Sequence, residues 1–154
     1  MKNYIGNLNG LHIKYIIINL VFVAASYLTH LIIGDIGLEN KINMYISVIM
    51  MILILTFFIS GRKKYQSQLN KIKTLALGEK LNIYHNINKK RLVSFTIMTI
   101  IASVGFVLSS NPLYLGFSIL SILLIFLNRC SKVKISFELN LRKEEIEMID
   151  KPVK

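Results

Sequence analysis

The chain has 154 residues, 53% of them hydrophobic and only 18% charged, with 19 Lys and Arg against 8 Asp and Glu. Soluble domains carry about 25% charge, and here the charges are also confined, with none in 15–34, 42–61 or 92–128. Uncharged apolar runs of about 18 residues or more can cross a bilayer, so the composition excludes an ordinary soluble domain. It predicts one all-α, polytopic membrane domain with little chain left over for a soluble catalytic core.

The first predicted span is 15–33 and the second 42–60. The third uncharged run is too long for one helix and carries its own break at Ser109-Ser110-Asn111-Pro112. Pro suits a first helical turn, and Ser and Asn cap well before it. Two further spans, 92–108 and 113–128, follow from that break. A cleaved signal peptide ending near Val23-Ala24-Ala25 is the alternative at the N-terminus. The apolar run continues through Leu31-Ile32-Ile33, which favours a retained span.

Basic residues set the orientation. The segment 61–91 holds nine Lys and Arg against Glu79 alone, and seven more fall in 129–154. The 34–41 loop has Lys41 beside Asp35 and Glu39, and the 109–112 turn has no charge. Basic loops stay cytoplasmic, which places both termini and 61–91 in the cytoplasm. Tyr15, Tyr45 and Tyr114 fall near span ends, where a ring with a polar tip suits the headgroup layer.

Within 61–91, Tyr65, Leu69, Ile72 and Ala76 share one helical face. Gly78 then reads as a left-handed helix end, and Leu81, Tyr84 and Asn88 lead on toward the third span. The expectation is a cytoplasmic helical hairpin between spans two and three, with Gly61 as the place for a kink. In the tail 129–154, Ser131 is placed to cap a short helix, and Lys143 to Glu147 can form another turn. The alternation over 133–141 also permits a strand, but a lone strand has no partner.

Polar residues inside the spans line up. Asn19, Ser26 and His30 share a face of the first helix; Thr96, Thr99, Ser103 and Ser110 form a stripe on the third. Gly105 and Ser109 add a small-xxx-small pair. Tyr114, Ser118, Ser121 and Asn128 align on the fourth, and Asn43, Ser47 and Thr56 punctuate the second. One reading is a polar path for a solute, with His30 responsive to protons. The other is adhesion between helices, worth roughly 0.6 kcal/mol per hydrogen bond. Ion-coupled transport usually uses an intramembrane carboxylate or cation, and these spans have none, so adhesion is preferred.

The clusters Arg62-Lys63-Lys64 and Lys89-Lys90-Arg91 read first as topology determinants at the membrane edge. Their alternative reading is a docking surface for anionic lipid or an acidic partner. A net charge of +11 suggests nucleic acid only when a recognition motif accompanies it, and none does. His12, His30 and His85 with Cys130 offer no metal-ligand spacing, and no phosphate-binding loop, HExxH or GxSxG motif occurs. No enzyme activity and no cofactor are expected.

The second half resembles a family of uncharacterised small four-helix membrane proteins of Bacteroidota. The resemblance runs over about 75–147, on Glu79-Lys80-Leu81, Tyr84, Arg91, Asn111 and Arg129-x-Ser131-Lys132-x-Lys134-Ile135-x3-Leu139-x-Leu141. The family often has a Glu-Gly pair where this chain has Thr96-Ile97, and Pro where it has Cys130. The resemblance implies location, a bacterial inner membrane, and topology. Function is expected to rest on association, as an accessory, scaffold or self-assembling subunit with a protein partner or further copies of itself. The alternative is a small oligomeric transporter or channel.

Overall fold

A computed structural model of the chain describes residues 4–34 and 40–150; the side chains of 40, 43 and 147–150 lie outside that set. The acids of the 34–41 loop, Asp35 and Glu39, and the side chain of Asn43 therefore fall outside the described residues. Those described are all helical apart from turns: α1 (Tyr4–Ile33), α2 (Asn40–Ile72), α3 (Leu77–Ser109), α4 (Leu113–Leu127), α5 (Lys132–Leu139) and α6 (Lys143–Asp150).

Three of these, α1, α2 and α3, are long and apolar enough to cross a membrane. At 1.5 Å per residue, the 33 residues of α2 and of α3 extend about 50 Å, well beyond a 30 Å hydrocarbon core. The fourth segment is different. Only 15 residues long, α4 spans about 22 Å, and it qualifies as a crossing only together with α5, to which it is bent by 86°. Pro112 opens it and the break at 128–131 closes it.

α3 is the central helix, and α1, α2 and α4 each pack on it. Of its most apolar stretch 56% is buried, against 11% for α1 and 6% for α2. The rest of those two helices is a continuous apolar exterior, including Ile17, Val21 and Leu28 on α1 and Val48, Ile52 and Ile59 on α2. Such contiguous exposure is what a helix facing lipid presents, and what a water-soluble monomer avoids.

Two cores follow. One lies along the uncharged part of the bundle and joins Ile54, Leu92, Phe95, Met98, Ala102, Phe106, Tyr114 and Ile125. The other lies toward the 61–91 end and joins Leu8, Tyr65, Leu69, Ile72, Leu81, Tyr84, Ile87, Cys130, Ile135 and Leu139. The second draws on α1, α2, α3 and α5. The first helix therefore begins well before its uncharged stretch. Residues 4–14 are helical, Leu8 is fully buried, and the Tyr4 hydroxyl donates to the Leu81 carbonyl at 2.6 Å.

Several local expectations shift. Gly61 makes no break in α2. Its missing side chain instead lets α3 approach, since a Cβ there would sit 3.0 Å from the Ser94 hydroxyl. Gly78 does not end a helix either; α2 stops at Ile72, the turn spans 73–76, and Gly78 lies in the first turn of α3. Ala76 is exposed, in an extended conformation preceding α3, rather than on the buried face of Tyr65, Leu69 and Ile72. Tyr114 is buried among helices instead of facing headgroups. Its ring covers Gly105, and its hydroxyl donates to the Ser47 carbonyl at 3.0 Å.

The tail folds back on the bundle. The Ser131 hydroxyl accepts from the Lys134 amide, capping α5. Ile135 and Leu139 point into the second core with no exposed surface, while Val133 and Phe137 on the opposite face are exposed. Asn140 ends the helix in the left-handed region, and α6 follows with Glu145 3.7 Å from buried Lys80.

Candidate functional site

The predicted intramembrane polar residues converge on the α1–α3–α4 contact. Asn19 on α1 donates to the Thr96 hydroxyl on α3 at 3.0 Å and to the Tyr15 carbonyl at 2.6 Å. Most other hydroxyls of the stripe turn back on their own helix: Ser26 to Val23, Thr96 to Leu92, Thr99 to Phe95 and Ser121 to Phe117. This back-bonding is the usual way a Ser or Thr satisfies itself in a helix. His30 lies 3.5 Å from the Ser110 hydroxyl and tilts against the Phe106 ring. Three buried atoms of the stripe have no hydrogen-bond partner: Asn19 Oδ1, Ser103 Oγ and Ser118 Oγ.

The basic residues divide. Arg62, Lys63, Lys64, Lys89 and Lys90 are exposed, whereas Arg91 is half-buried. It anchors a second polar constellation that forms at the junction of α2, α3, α4 and α5. Its guanidinium lies over the Tyr65 ring, 4.1 Å from the centroid, a stacking geometry that suits a planar cation. One nitrogen, Nη2, donates to Asn128 Oδ1 at 2.7 Å. The other, Nη1, is buried without an acceptor. Lys134 Nζ also reaches Asn128, donating to Oδ1 and to the main-chain carbonyl at 3.1 Å each. Asn128 donates in turn to the Leu124 carbonyl, so the last residue before the charged tail is held from three sides.

Glu138 on α5 closes the arrangement. Its Oε2 accepts from the Tyr65 hydroxyl at 2.9 Å and from the Tyr84 hydroxyl at 2.6 Å. Hydrogen bonds to an ionised acceptor are the stronger kind, and these two tie α5 to α2 and α3 at once. Lys134 lies beyond the last uncharged run. Burial lowers its pKa, opposed by attraction to Glu138 and reinforced by repulsion from Arg91. Burial likewise pushes the Cys130 thiol up, which makes it a packing group rather than a nucleophile.

Beside this constellation opens a cavity of about 850 Å³. Phe57, Phe58, Phe95 and Leu124 are among its apolar lining, and Arg62, Lys73, Arg91, Asn128 and Glu138 among its polar lining. A smaller cavity of about 330 Å³ adjoins Lys64, Lys90 and Ser94 and shares Arg91 and Tyr65 with the first. Neither is lined by any residue of the Asn19, Ser26, His30, Thr96, Thr99, Ser103, Ser118 and Ser121 stripe.

Sequence reasoning singled out Arg91 as part of a basic cluster and Tyr65 and Tyr84 as positions on helical faces. It passed over Glu138 and Lys134 as sites. The available signal is local: Glu138 is the single acid in 129–143, set between Phe137 and Leu139. Its partners lie 73 and 54 residues away, so only folding reveals them. Leu81, Tyr84, Arg91, Lys134, Ile135 and Leu139, all residues of the motif pattern, gather around this junction. Among the described residues no three His, Cys, Asp or Glu side chains come close enough to hold a metal ion. No family model, curated protein or solved structure matches the chain.

Proposed function

We propose that the chain is a multi-pass protein of a bacterial inner membrane that acts by association and not by catalysis, as an accessory, scaffold or self-assembling subunit. In this reading it crosses four times, at about 15–33, 42–60, 92–108 and 113–128. Both termini and a helical hairpin over 61–91 stand in the cytoplasm, as the Lys and Arg distribution favours. Its kinship, by the motif pattern, is with the small four-helix membrane proteins of Bacteroidota. The observation that carries the associative reading is the fate of the polar stripe. Most of its groups bond to one another or to their own helices, and neither cavity runs along it.

A second reading, a small oligomeric transporter or channel, draws on the three buried atoms of the stripe without partners, Asn19 Oδ1, Ser103 Oγ and Ser118 Oγ. Crosslinking in native membranes, gentle extraction of a tagged copy and mass spectrometry separate the two. The associative reading expects a reproducible protein partner at fixed stoichiometry, or a homo-oligomer whose reconstituted vesicles carry no solute flux. Flux that is abolished in Asn19→Ala and His30→Ala, with both variants still folded, would establish the transporter instead.

A further inference from the structure

The larger cavity has a chemistry that the associative reading leaves unused. It sits at the boundary of the uncharged stretches: Arg62 directly follows 42–61, and Arg91 directly precedes 92–128. Its lining carries three cations, Arg62, Lys73 and Arg91, against one carboxylate, Glu138. That carboxylate already accepts two phenol hydroxyls, and Arg91 keeps one nitrogen without an acceptor. The same lining is aromatic, with Phe57, Phe58 and Phe95, the last with its ring centroid 5.8 Å from the Arg91 guanidinium, and Phe57 belongs to the exposed apolar flank of α2. Phe137, 85% exposed on α5, lies at the same cavity.

We propose that this cavity binds one anionic phospholipid, its headgroup phosphate at Arg91, Arg62 and Lys73 and the start of an acyl chain against Phe57, Phe58 and Phe95. Three properties of the site select that occupant. Guanidinium groups match phosphate oxygens in a planar, two-pronged geometry. Basic pockets between helices at the cytoplasmic surface suit anionic headgroups. The volume falls in the range of about 300–1,000 Å³ that small-ligand sites occupy. A soluble phosphate would use the cations and leave the aromatic wall wet; a neutral lipid would use the wall and leave the cations unpaired. The site makes α5, through Glu138, part of the wall that closes over the headgroup. The proposal rests on the membrane reading of the bundle, and the experiment addresses the two separately.

Membranes containing the full chain are first washed with alkaline carbonate. Release of the chain overturns the membrane reading and this proposal with it. If the chain is retained, the protein is purified, delipidated and titrated with phosphatidylglycerol or phosphatidylcholine under native mass spectrometry. A single phosphatidylglycerol adduct is expected on the wild type, with phosphatidylcholine much weaker. Arg62→Ala combined with Lys73→Ala, both exposed on the rim, is expected to weaken that adduct roughly ten- to thirty-fold. Arg91→Gln should abolish it, and because Arg91 also holds Asn128, the rim variant keeps the test independent of folding. Lys63→Ala with Lys89→Ala removes equal charge from outside both cavities and should leave the adduct unchanged. Equal binding of the two lipids, equal loss in the Lys63/Lys89 variant, or an unchanged rim variant each overturns the proposal. So does displacement of the lipid by millimolar glycerol phosphate, which would identify a site for free phosphate.

Discussion

The two cores of this molecule are held together by different physics. Around Phe95, Phe106, Tyr114 and Ile125 the helices meet in a stretch without a single charge, and their polar contacts are few and uncharged: hydroxyls to their own turn, Asn19 to Thr96, and the Tyr114 hydroxyl to the Ser47 carbonyl. Around Tyr65, Tyr84, Ile135 and Leu139 the contacts are non-local and charged, and Glu138 alone joins three helices. In lipid, apolar side chains gain nothing from leaving a hydrocarbon solvent, so fit and small residues decide the packing. Where charged residues return and water has access, the hydrophobic drive is restored, and a buried network can hold a tail segment of only 8 residues in place. The first region is specified by shape, the second by partners.

That contrast can be broken most severely at Gly105. A Cβ there would lie 2.8 Å from the Tyr114 ring, which is fixed at its far end by the bond to Ser47. Gly105→Leu is expected to destabilise the bundle by about 3 kcal/mol, the upper range for overpacking, read as a fall in the denaturant midpoint in mixed micelles. Next is the network. Glu138→Ala leaves two buried phenols without their acceptor and should cost about 2 kcal/mol. The loss should be local, so hydrogen exchange is expected to rise in α5 while the α3–α4 contact stays protected; equal loosening of both would merge the two regions into one cooperative unit. A double-mutant cycle on Asn19→Ala and Thr96→Val sharpens the lipid side and should give a coupling of about 0.6 kcal/mol. The smallest effect belongs to Lys80 and Glu145. At 3.7 Å and with Glu145 partly exposed, this pair should couple by no more than about 1 kcal/mol, declining with added salt.

How much of this is legible in the sequence depends on the range of the interaction. The uncharged runs mark the apolar helices, and the Ser131 hydroxyl, three residues before the Lys134 amide that it receives, marks the start of α5. Asn19 and Thr96 can be assigned to polar faces from spacing alone, although that they face one another cannot. Glycines mislead, because a residue without a side chain serves equally to end a helix or to admit a neighbour: Gly61 admits α3 where a kink is expected, and Gly78 opens a helix where an end is expected. The helical start of α1 at Tyr4 is hidden by Asn, Gly, His and Lys in 4–14, which dilute an apolar pattern that only the docking of Leu8 and Tyr4 completes. The Glu138 site is the least legible, since its three helices are brought together by chain segments far apart.

The central position of α3 bears on the order in which the molecule can be made. Both α1 and α2 have their main packing partner in a helix synthesised after them. At about 5–20 residues per second, the 76 residues between the end of α1 and the end of α3 take a ribosome on the order of 4–15 s. Through that interval the first two helices lack their main partner, and Asn19 has only the Tyr15 carbonyl of its own helix. Only the arrival of α3 gives them a common surface, and only α4 then lays Tyr114 across Gly105 to Ser47 and fixes the bundle. Assembly here is a matter of timing, with the last-made helices locking the first.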